Sequence, residues 1–455
     1  MFTYVKAKNF KSLKNIKFNL KKNQKITNDF ISIYGENGSG KTNIVELFKF
    51  LQQLTISKSI DIALNKLPKE YFELQKKFID SIPVELKKIW QLSLNLEEYR
   101  TLNEKEDTEI EYGFKINDIE GYYYIRFNTE IVEEKLYYFA VKQKAFYFKI
   151  CKEEKEIKKE LNKNIFNNEK YKKELIDNID KYWGKYSFLS LLFYETAEKN
   201  QDYVITNTSQ KIFNIIDKFL SMTIHVHMWD FKLMPDNIMK QSKLIDLKSG
   251  NIRKDKVNII KKYEKVLNIF FTQAYADIKS VEYKFEDNDE KVYYELYFNK
   301  MIGGKLKSIS IDLESEGTRK IVDEFDTIIG AMMGETVIID EIDNGIHDLL
   351  MKNIIMSIKD EINGQLIITT HNTLLLEILP KECIYILSTD YEGNKEINSI
   401  KDYGITIQKN NNARDLYFKG LFGGIPTTEY VDFEEIKYAL EDSKEKEDIS
   451  NVKKA

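Results

Sequence analysis

Residues Gly35–Thr42 read Gly-Glu-Asn-Gly-Ser-Gly-Lys-Thr, which fits G-x-x-x-x-G-K-[ST] at every fixed position. The run before it, Phe30–Tyr34, is apolar and β-prone. After it, Val45, Leu47, Phe48 and Leu51 are spaced for one buried helical face, with the helix expected to end near Leu54. Strand, glycine loop and helix in that order make the string a phosphate cradle. Gly35, Gly38 and Gly40 let the loop through Asn37 and Ser39 turn its backbone N–H groups onto phosphate oxygens. The helix start adds its partial positive charge. Lys41 is expected to reach the β- and γ-phosphates, and Thr42 to hold Mg²⁺ through its hydroxyl. The competing reading is a plain Gly-rich turn ahead of a helix.

A chain of 455 residues has room for two or three domains' worth of core. Lys+Arg 69 nearly cancels Asp+Glu 73, so a net charge of −4 sets up no global field for DNA or anionic lipid. A local basic patch for nucleic acid stays open. Cys151 and Cys383 lie far apart and form no C-x-x-C pair, which argues against structural zinc and a disulfide framework. Cys383 sits in an apolar run and is expected to be buried. Met1–Lys6 does not read as a signal peptide, and no apolar run approaches the ~20 residues of a membrane span. The expectation is a cytoplasmic protein without a membrane partner.

Ile16, Phe18 and Leu20 alternate with polar residues, so residues 1–20 read as two strands joined through Asn9–Leu13. Residues 57–103 turn helical and charged. Strands return over 109–150, where Tyr122–Phe127 and Lys135–Val141 are aromatic and β-branched. Their rings are expected to be core and cross-strand pairs, not a base-stacking platform. Residues 152–182, dense in Lys and Glu, read as solvated helices, and Ser187–Tyr275 as mainly helical with interruptions near Pro235 and Gly250. Strands resume from Val281 to Ile311. The tail from Lys401 carries a turn at Gly423–Pro426 and a charged helix from about Asp432.

A second block with chemistry follows. Thr336–Ile339 is a buried strand running into Asp340 and Glu341. Asp340 is placed to hold the Mg²⁺ water shell beside the phosphate loop, and Glu341 to orient or deprotonate an attacking water. Gln365–Thr370 is another apolar strand, ending at His371, a candidate donor to the γ-phosphate. Ser315 and Gly317 precede an amphipathic helix with Ile321, Val322, Phe325, Ile328, Ile329 and Met332 on its apolar face. A Ser and a Gly ahead of a helix form a second anion site, or an ordinary cap.

In this order the pieces resemble the ABC-type ATPase head of the branch shared by SMC-like, RecF-like and OLD-like proteins. Gly35–Thr42 matches Walker A. Ser315-Glu316-Gly317 resembles the signature, and Asp340-Glu341 matches Walker B with its catalytic Glu. Asp343–His347 resembles the D-loop, and His371 the switch histidine. The resemblance implies an α/β fold: a P-loop NTPase head with a mixed central sheet, an N-terminal antiparallel β region and a helical insertion. It divides the chain into an ATPase part with Walker A (1–56), a helical insertion (57–108), an antiparallel β part (109–150) and a charged helical insertion (151–280). An ATPase part with signature, Walker B and switch His (281–400) and a C-terminal tail (401–455) follow. It also implies ATP and Mg²⁺ as cofactors and a homodimer in which Ser315 and Gly317 contact the ATP held by the other subunit. Two departures stand: no Q-loop glutamine can be assigned among Gln52, Gln53 and Gln143, and the signature lacks its double glycine.

More narrowly, the layout resembles stand-alone bacterial ATPases that act with a separately encoded effector in phage defence, as in abortive infection. The alternative function is a RecF- or SMC-like DNA-repair ATPase, whose DNA binding would weaken with salt. An OLD-like nuclease would need a TOPRIM domain, for which the stretch after Leu387 is too short. A metal nuclease at His225, His227 and Asp230 competes with a plain strand whose two imidazoles share a face. A transporter's ATPase is the remaining class.

Overall fold

Alternating apolar and polar residues at the chain start build two antiparallel strands, Phe2–Phe10 (β1) and Leu13–Asn19 (β2). The computed structural model describes residues 1–66, 92–138, 146–154, 156–162, 165–226, 229–232, 245–288, 290–404, 412–425 and 431–439. Phe30–Tyr34 (β3) comes next, buried on both faces, and leads through the glycine loop into helix Lys41–Asn65 (α1). Thr108–Ile116 (β4), Ile119–Phe127 (β5), Ile131–Tyr138 (β6), Phe146–Glu153 (β7) and Glu156–Leu161 (β8) follow. With the first two strands they form one antiparallel sheet in the order β2-β1-β4-β5-β6-β7-β8.

Four helices then run over Glu169–Tyr182 (α2), Phe188–Glu198 (α3), Gln201–Asn207 (α4) and Gln210–Leu220 (α5). Strands Thr223–Val226 (β9), Trp229–Lys232 (β10) and Ser249–Arg253 (β11) precede helix Val257–Ala274 (α6). The strands Ile278–Asn288 (β12), Lys291–Ile302 (β13) and Lys305–Ser310 (β14) join β11 in a small antiparallel sheet. The last elements are Glu316–Met332 (α7), Thr336–Ile339 (β15), Asp348–Ile358 (α8), Gln365–Thr369 (β16), Ile384–Thr389 (β17), Lys395–Ser399 (β18) and Ala413–Phe418 (α9).

The central sheet has the order β10-β9-β15-β16-β3-β17-β18. Its five inner strands are parallel and its two edge strands antiparallel. Such inner strands are covered on both faces and read as unbroken apolar runs, as Val337–Ile339 and Leu366–Ile368 do. This is the expected α/β P-loop architecture: a mixed central sheet beside an N-terminal antiparallel one. The strand that feeds the phosphate loop (β3) and the one that ends in the carboxylates (β15) flank β16.

Several local expectations are corrected. α1 does not stop near Leu54 but runs to Asn65, and it is buried nearly all round. No Gly or Pro interrupts it over that length, and its polar residues find partners inside. Gln52 donates to the carbonyls of Leu220 (3.0 Å) and Met222 (2.9 Å), and Gln53 accepts from the Tyr99 hydroxyl (2.5 Å). The 152–182 stretch is not all solvated helix. It begins with the end of β7 and with β8, and α2 buries Tyr171, Leu175 and Ile179 at helical spacing. The 187–275 stretch is not simply helical either, because β9 enters the central sheet next to β15. Four residues are too few to show a strand's period. Residues 67–91 of the expected helical insertion and 139–141 of the expected strand lie outside the described residues.

The aromatic residues of the first sheet are core, as expected. Phe2 meets Phe48 edge-on (5.1 Å between centroids) and Phe114 meets Phe219 (5.5 Å), while Tyr122 and Tyr137 stack across strands at 4.6 Å. Gln365 fastens this sheet to the central one. Its amide accepts from Phe2 N (2.7 Å) and donates to Phe2 O (2.9 Å) and Asn28 O (3.0 Å). Cys151 and Cys383 are free and buried. No helix of the described residues is long and apolar enough to cross a membrane.

Glu134 on β6 is fully buried. It accepts from Trp183 Nε1 (2.9 Å), Tyr123 Oη (2.9 Å), Phe188 N (2.7 Å) and Leu189 N (3.4 Å). Burial pushes its carboxyl from an ordinary 4.5 up to about 7, against the pull of these donors. The folded chain therefore keeps a proton that the unfolded chain loses near pH 4.5. Stability must fall as pH rises from there to about 7 and then level off. Relative to Glu134→Gln, the wild type should lose on the order of 3 kcal/mol across that window. Thermal midpoints of both proteins against pH would check this; a difference that is flat or rises with pH refutes it.

The chain divides into two units at Gly424. In the second, residues 433–439 form the expected charged helix, exposed throughout, with the Asp432 carboxylate accepting from Glu434 N at 2.9 Å.

Candidate functional site

The phosphate loop is shaped by its glycines. Gly38 (φ 80°) and Gly40 (φ 103°) occupy the left-handed region. Gly35 has no room for a side chain, since a Cβ there would sit 2.7 Å from the Leu387 carbonyl oxygen. Asn37 and Gly38 are exposed at the tip. Ser39 is 1% exposed, and its hydroxyl has no hydrogen-bond partner among the described residues. Lys41 folds back over the loop, its ammonium donating to Gly35 O (2.8 Å) and Glu36 O (3.0 Å). Burial lowers its pKa, opposed by the negative charges of Asp340, Glu341, Asp343 and Glu36.

The carboxylates arrive from the other side of β16. Thr42 Oγ1 donates to Asp340 Oδ2 at 2.8 Å, joining residues far apart in the chain. The second Asp340 oxygen accepts from Thr369 Oγ1 at 2.5 Å. Thr369 also accepts from Glu341 N (2.7 Å), so one hydroxyl fixes both acidic residues. Parallel pairing of Ile339 with Ile368 sets this up, because it brings the next residues, Asp340 and Thr369, side by side.

Glu341 adopts φ 51°, an uncommon left-handed conformation for a residue with a side chain. Its carbonyl is held by Lys320 Nζ from α7 at 2.8 Å. His371 donates its backbone N–H to Asp343 (3.1 Å). Partial burial and the charge of Lys41 lower its imidazole pKa, against Asp343, Glu341 and Asp340.

The predicted site residues thus fall into two places. Lys41, Thr42, Asp340, Glu341, Asp343 and His371 gather around the loop. Ser315 and Gly317 do not join them: among the described residues neither makes a hydrogen bond to the phosphate loop. Ser315 caps α7, accepting from Thr318 N at 3.2 Å. Gly317 lies so close to the 341–347 loop that a Cβ would stand 2.4 Å from the Gly345 carbonyl oxygen.

Other residues at the site carry no motif. Thr369 and Lys320 are two. From the far end of the chain, Lys395 reaches the loop, and Gly424 packs its backbone against Gly35, where a Cβ would lie 3.6 Å from the Gly35 Cα. Tyr417 on α9 secures that contact by donating to Gly424 O at 2.8 Å. Thr369 ends the strand leading to His371, but only the pairing of β15 with β16 gives it a role beside Asp340.

Of the alternative metal site at His225, His227 and Asp230, only the His225 side chain falls among the described residues. His225 lies on β9, where its carbonyl accepts from Asp340 N (2.8 Å). His227 and the Asp230 side chain lie outside the described residues, as does Gln143. Among the described residues no group of three or more His, Cys, Asp or Glu is arranged to hold a metal. Mg²⁺ beside a nucleotide needs fewer, because phosphates and water complete its shell.

A family model described as "AAA domain, putative AbiEii toxin, Type IV TA system" matches residues 30–377. No curated protein matches the sequence. Among solved structures, an SMC head bound to the C-winged helix domain of ScpA is similar at 14% identity and a TM-score of 0.41, covering 89% of this chain and 99% of that one. The SMC head domain from Thermotoga maritima is 13% identical with a TM-score of 0.38, covering 88% and 98%. The recombination mediator protein RecF with ATP is 13% identical with a TM-score of 0.30, covering 81% and 93%.

Proposed function

The chain belongs to this AAA-domain family of the AbiEii-toxin type, and from that premise we propose that it is a Mg²⁺-dependent ATPase acting as a homodimeric switch. The observation that carries the reading is the 2.8 Å hydrogen bond between Thr42 and Asp340. It places the loop that would cradle a triphosphate and the carboxylate that would face its metal on one spot.

The residues present fit both groups. The buried Ser39 hydroxyl lacks a partner among the described residues, and Lys41 holds its ammonium on carbonyls that a phosphate would outcompete. Thr42 and Asp340 offer the hard oxygen atoms that Mg²⁺ takes. When bound, Mg²⁺ supplies positive charge to the phosphate oxygens. Lys41 and the loop N–H groups would bind and orient the β- and γ-phosphates. Glu341 would position and deprotonate the attacking water, and His371 would donate to the terminal phosphate. Ser315 and Gly317, away from their own loop, would serve the ATP of a second copy. Closure of the pair would then gate a separately encoded effector in phage defence, in the manner of abortive infection.

Mixing two inactive variants tests the paired arrangement. Lys41→Ala spoils a subunit's own loop, and Ser315→Arg spoils what it lends to its partner. A mixed dimer keeps one intact composite site, so statistical exchange should restore about a quarter of wild-type ATPase activity. If the variants exchange subunits and no activity returns, sites are not shared.

A further inference from the structure

The phosphate loop is flanked by a second lysine. Lys395 opens β18, just after the turn that closes the β17–β18 hairpin. It is 8% exposed, yet it forms no ion pair among the described residues. Its ammonium donates to Ser12 Oγ (2.6 Å) and to Gly38 O (3.4 Å), and stands 3.0 Å from where a Cβ on Gly40 would be. Asn43, in the first turn of α1, donates to the same Ser12 hydroxyl at 2.6 Å. Ser12 itself is exposed, so this cluster opens to solvent at the helix start.

A buried cation without a counter-ion is costly, and the cost is relieved when an anion arrives. Burial already lowers the Lys395 pKa, with only Glu36 opposing it. Resting on the nucleotide-binding reading above, we infer that Lys395 is a second phosphate-binding cation, serving the end of the loop opposite Lys41. The two lysines differ in their surroundings. Lys41 donates to the first carbonyls of the loop, Gly35 O and Glu36 O, beside the Asp340–Asp343 acids assigned to hydrolysis, whereas Lys395 donates to Gly38 O and the Ser12 hydroxyl and to none of those acids among the described residues. Lys395 therefore holds phosphates that ATP and ADP share, and it contributes to affinity without contributing to turnover.

The test compares Lys395→Gln and Lys395→Met with the wild type and Lys41→Ala. Glutamine keeps a donor for Ser12 and removes the charge; methionine removes both. Dissociation constants for Mg·ATP and Mg·ADP, kcat and KM at fixed salt, and the thermal midpoint with and without nucleotide are measured. Both variants should bind ATP and ADP roughly 10- to 100-fold more weakly. The kcat at saturation should stay within about threefold, and nucleotide should raise the midpoint less than in the wild type. Wild-type affinity for both nucleotides in folded Lys395→Gln overturns the inference, as does a loss of kcat with affinity unchanged. If the methionine variant fails to fold, the glutamine variant decides. If the wild type itself binds no nucleotide, it is the underlying reading that fails.

Discussion

Lys41→Ala should reduce nucleotide affinity by at least ~100-fold, to the point where binding is lost at ordinary ATP concentrations. Lys41 is 6% exposed, and its ammonium is already placed over the loop by the Gly35 and Glu36 carbonyls. Binding exchanges those two neutral acceptors for charged phosphate oxygens, roughly doubling the strength of each hydrogen bond. Removing the side chain forfeits that gain and leaves the loop with N–H groups alone. Truncating one partner of a buried, hydrogen-bonded charge pair costs about 2–5 kcal/mol, which sets the size of the effect. The unliganded fold should tolerate the change, because alanine keeps α1 intact and frees a desolvated charge. Calorimetric titration with Mg·ATP, beside a thermal melt, separates the two outcomes. Affinity within threefold of the wild type would remove Lys41 from the site.

What could be read in advance was what lies contiguously in the chain. A strand, a glycine loop and a helix start act through their own backbone, so Gly35–Thr42 announces its chemistry without a partner. Asp340 and Glu341 are legible for the same reason, as a strand ending in two acids. The parallel sheet then brings Thr42 to Asp340. Thr369 was not singled out, because its value lies in register: only once β15 and β16 are known to pair does it fall beside Asp340. β9 is hidden by its brevity, and the full length of α1 is not legible because a helix buried on nearly every side shows no single apolar stripe. Lys395 and Gly424 were invisible among many lysines and glycines. Their meaning comes from an edge strand and a turn folded back onto the first loop, and neither falls within residues 30–377 of the family match.

Glu341→Gln should leave nucleotide binding in place and lower turnover by about 10²- to 10⁴-fold. The division of labour between the adjacent acids supports this. Both Asp340 oxygens are engaged, by Thr42 and Thr369, as suits a residue that holds a metal's water shell. The Glu341 carboxylate makes no hydrogen bond among the described residues, while its backbone is pinned at both ends by Thr369 and Lys320. On the proposed reading, this leaves the carboxylate available to take a proton from the attacking water. The left-handed φ of 51° sends that side chain away from the direction the strand would give it. Conformations of this kind cost of order 1–3 kcal/mol and persist where the surroundings enforce them. Glutamine keeps the volume and the backbone but cannot take a proton at neutral pH, so only the base is lost. Asp340→Asn should behave differently, weakening Mg²⁺-dependent binding as well as turnover, because it removes the charge facing the metal. Single-turnover hydrolysis and ATP affinity measured on both variants distinguish the roles. Unchanged hydrolysis in Glu341→Gln would mean that another group activates the water, and equal binding losses in both variants would mean that the two acids share one task.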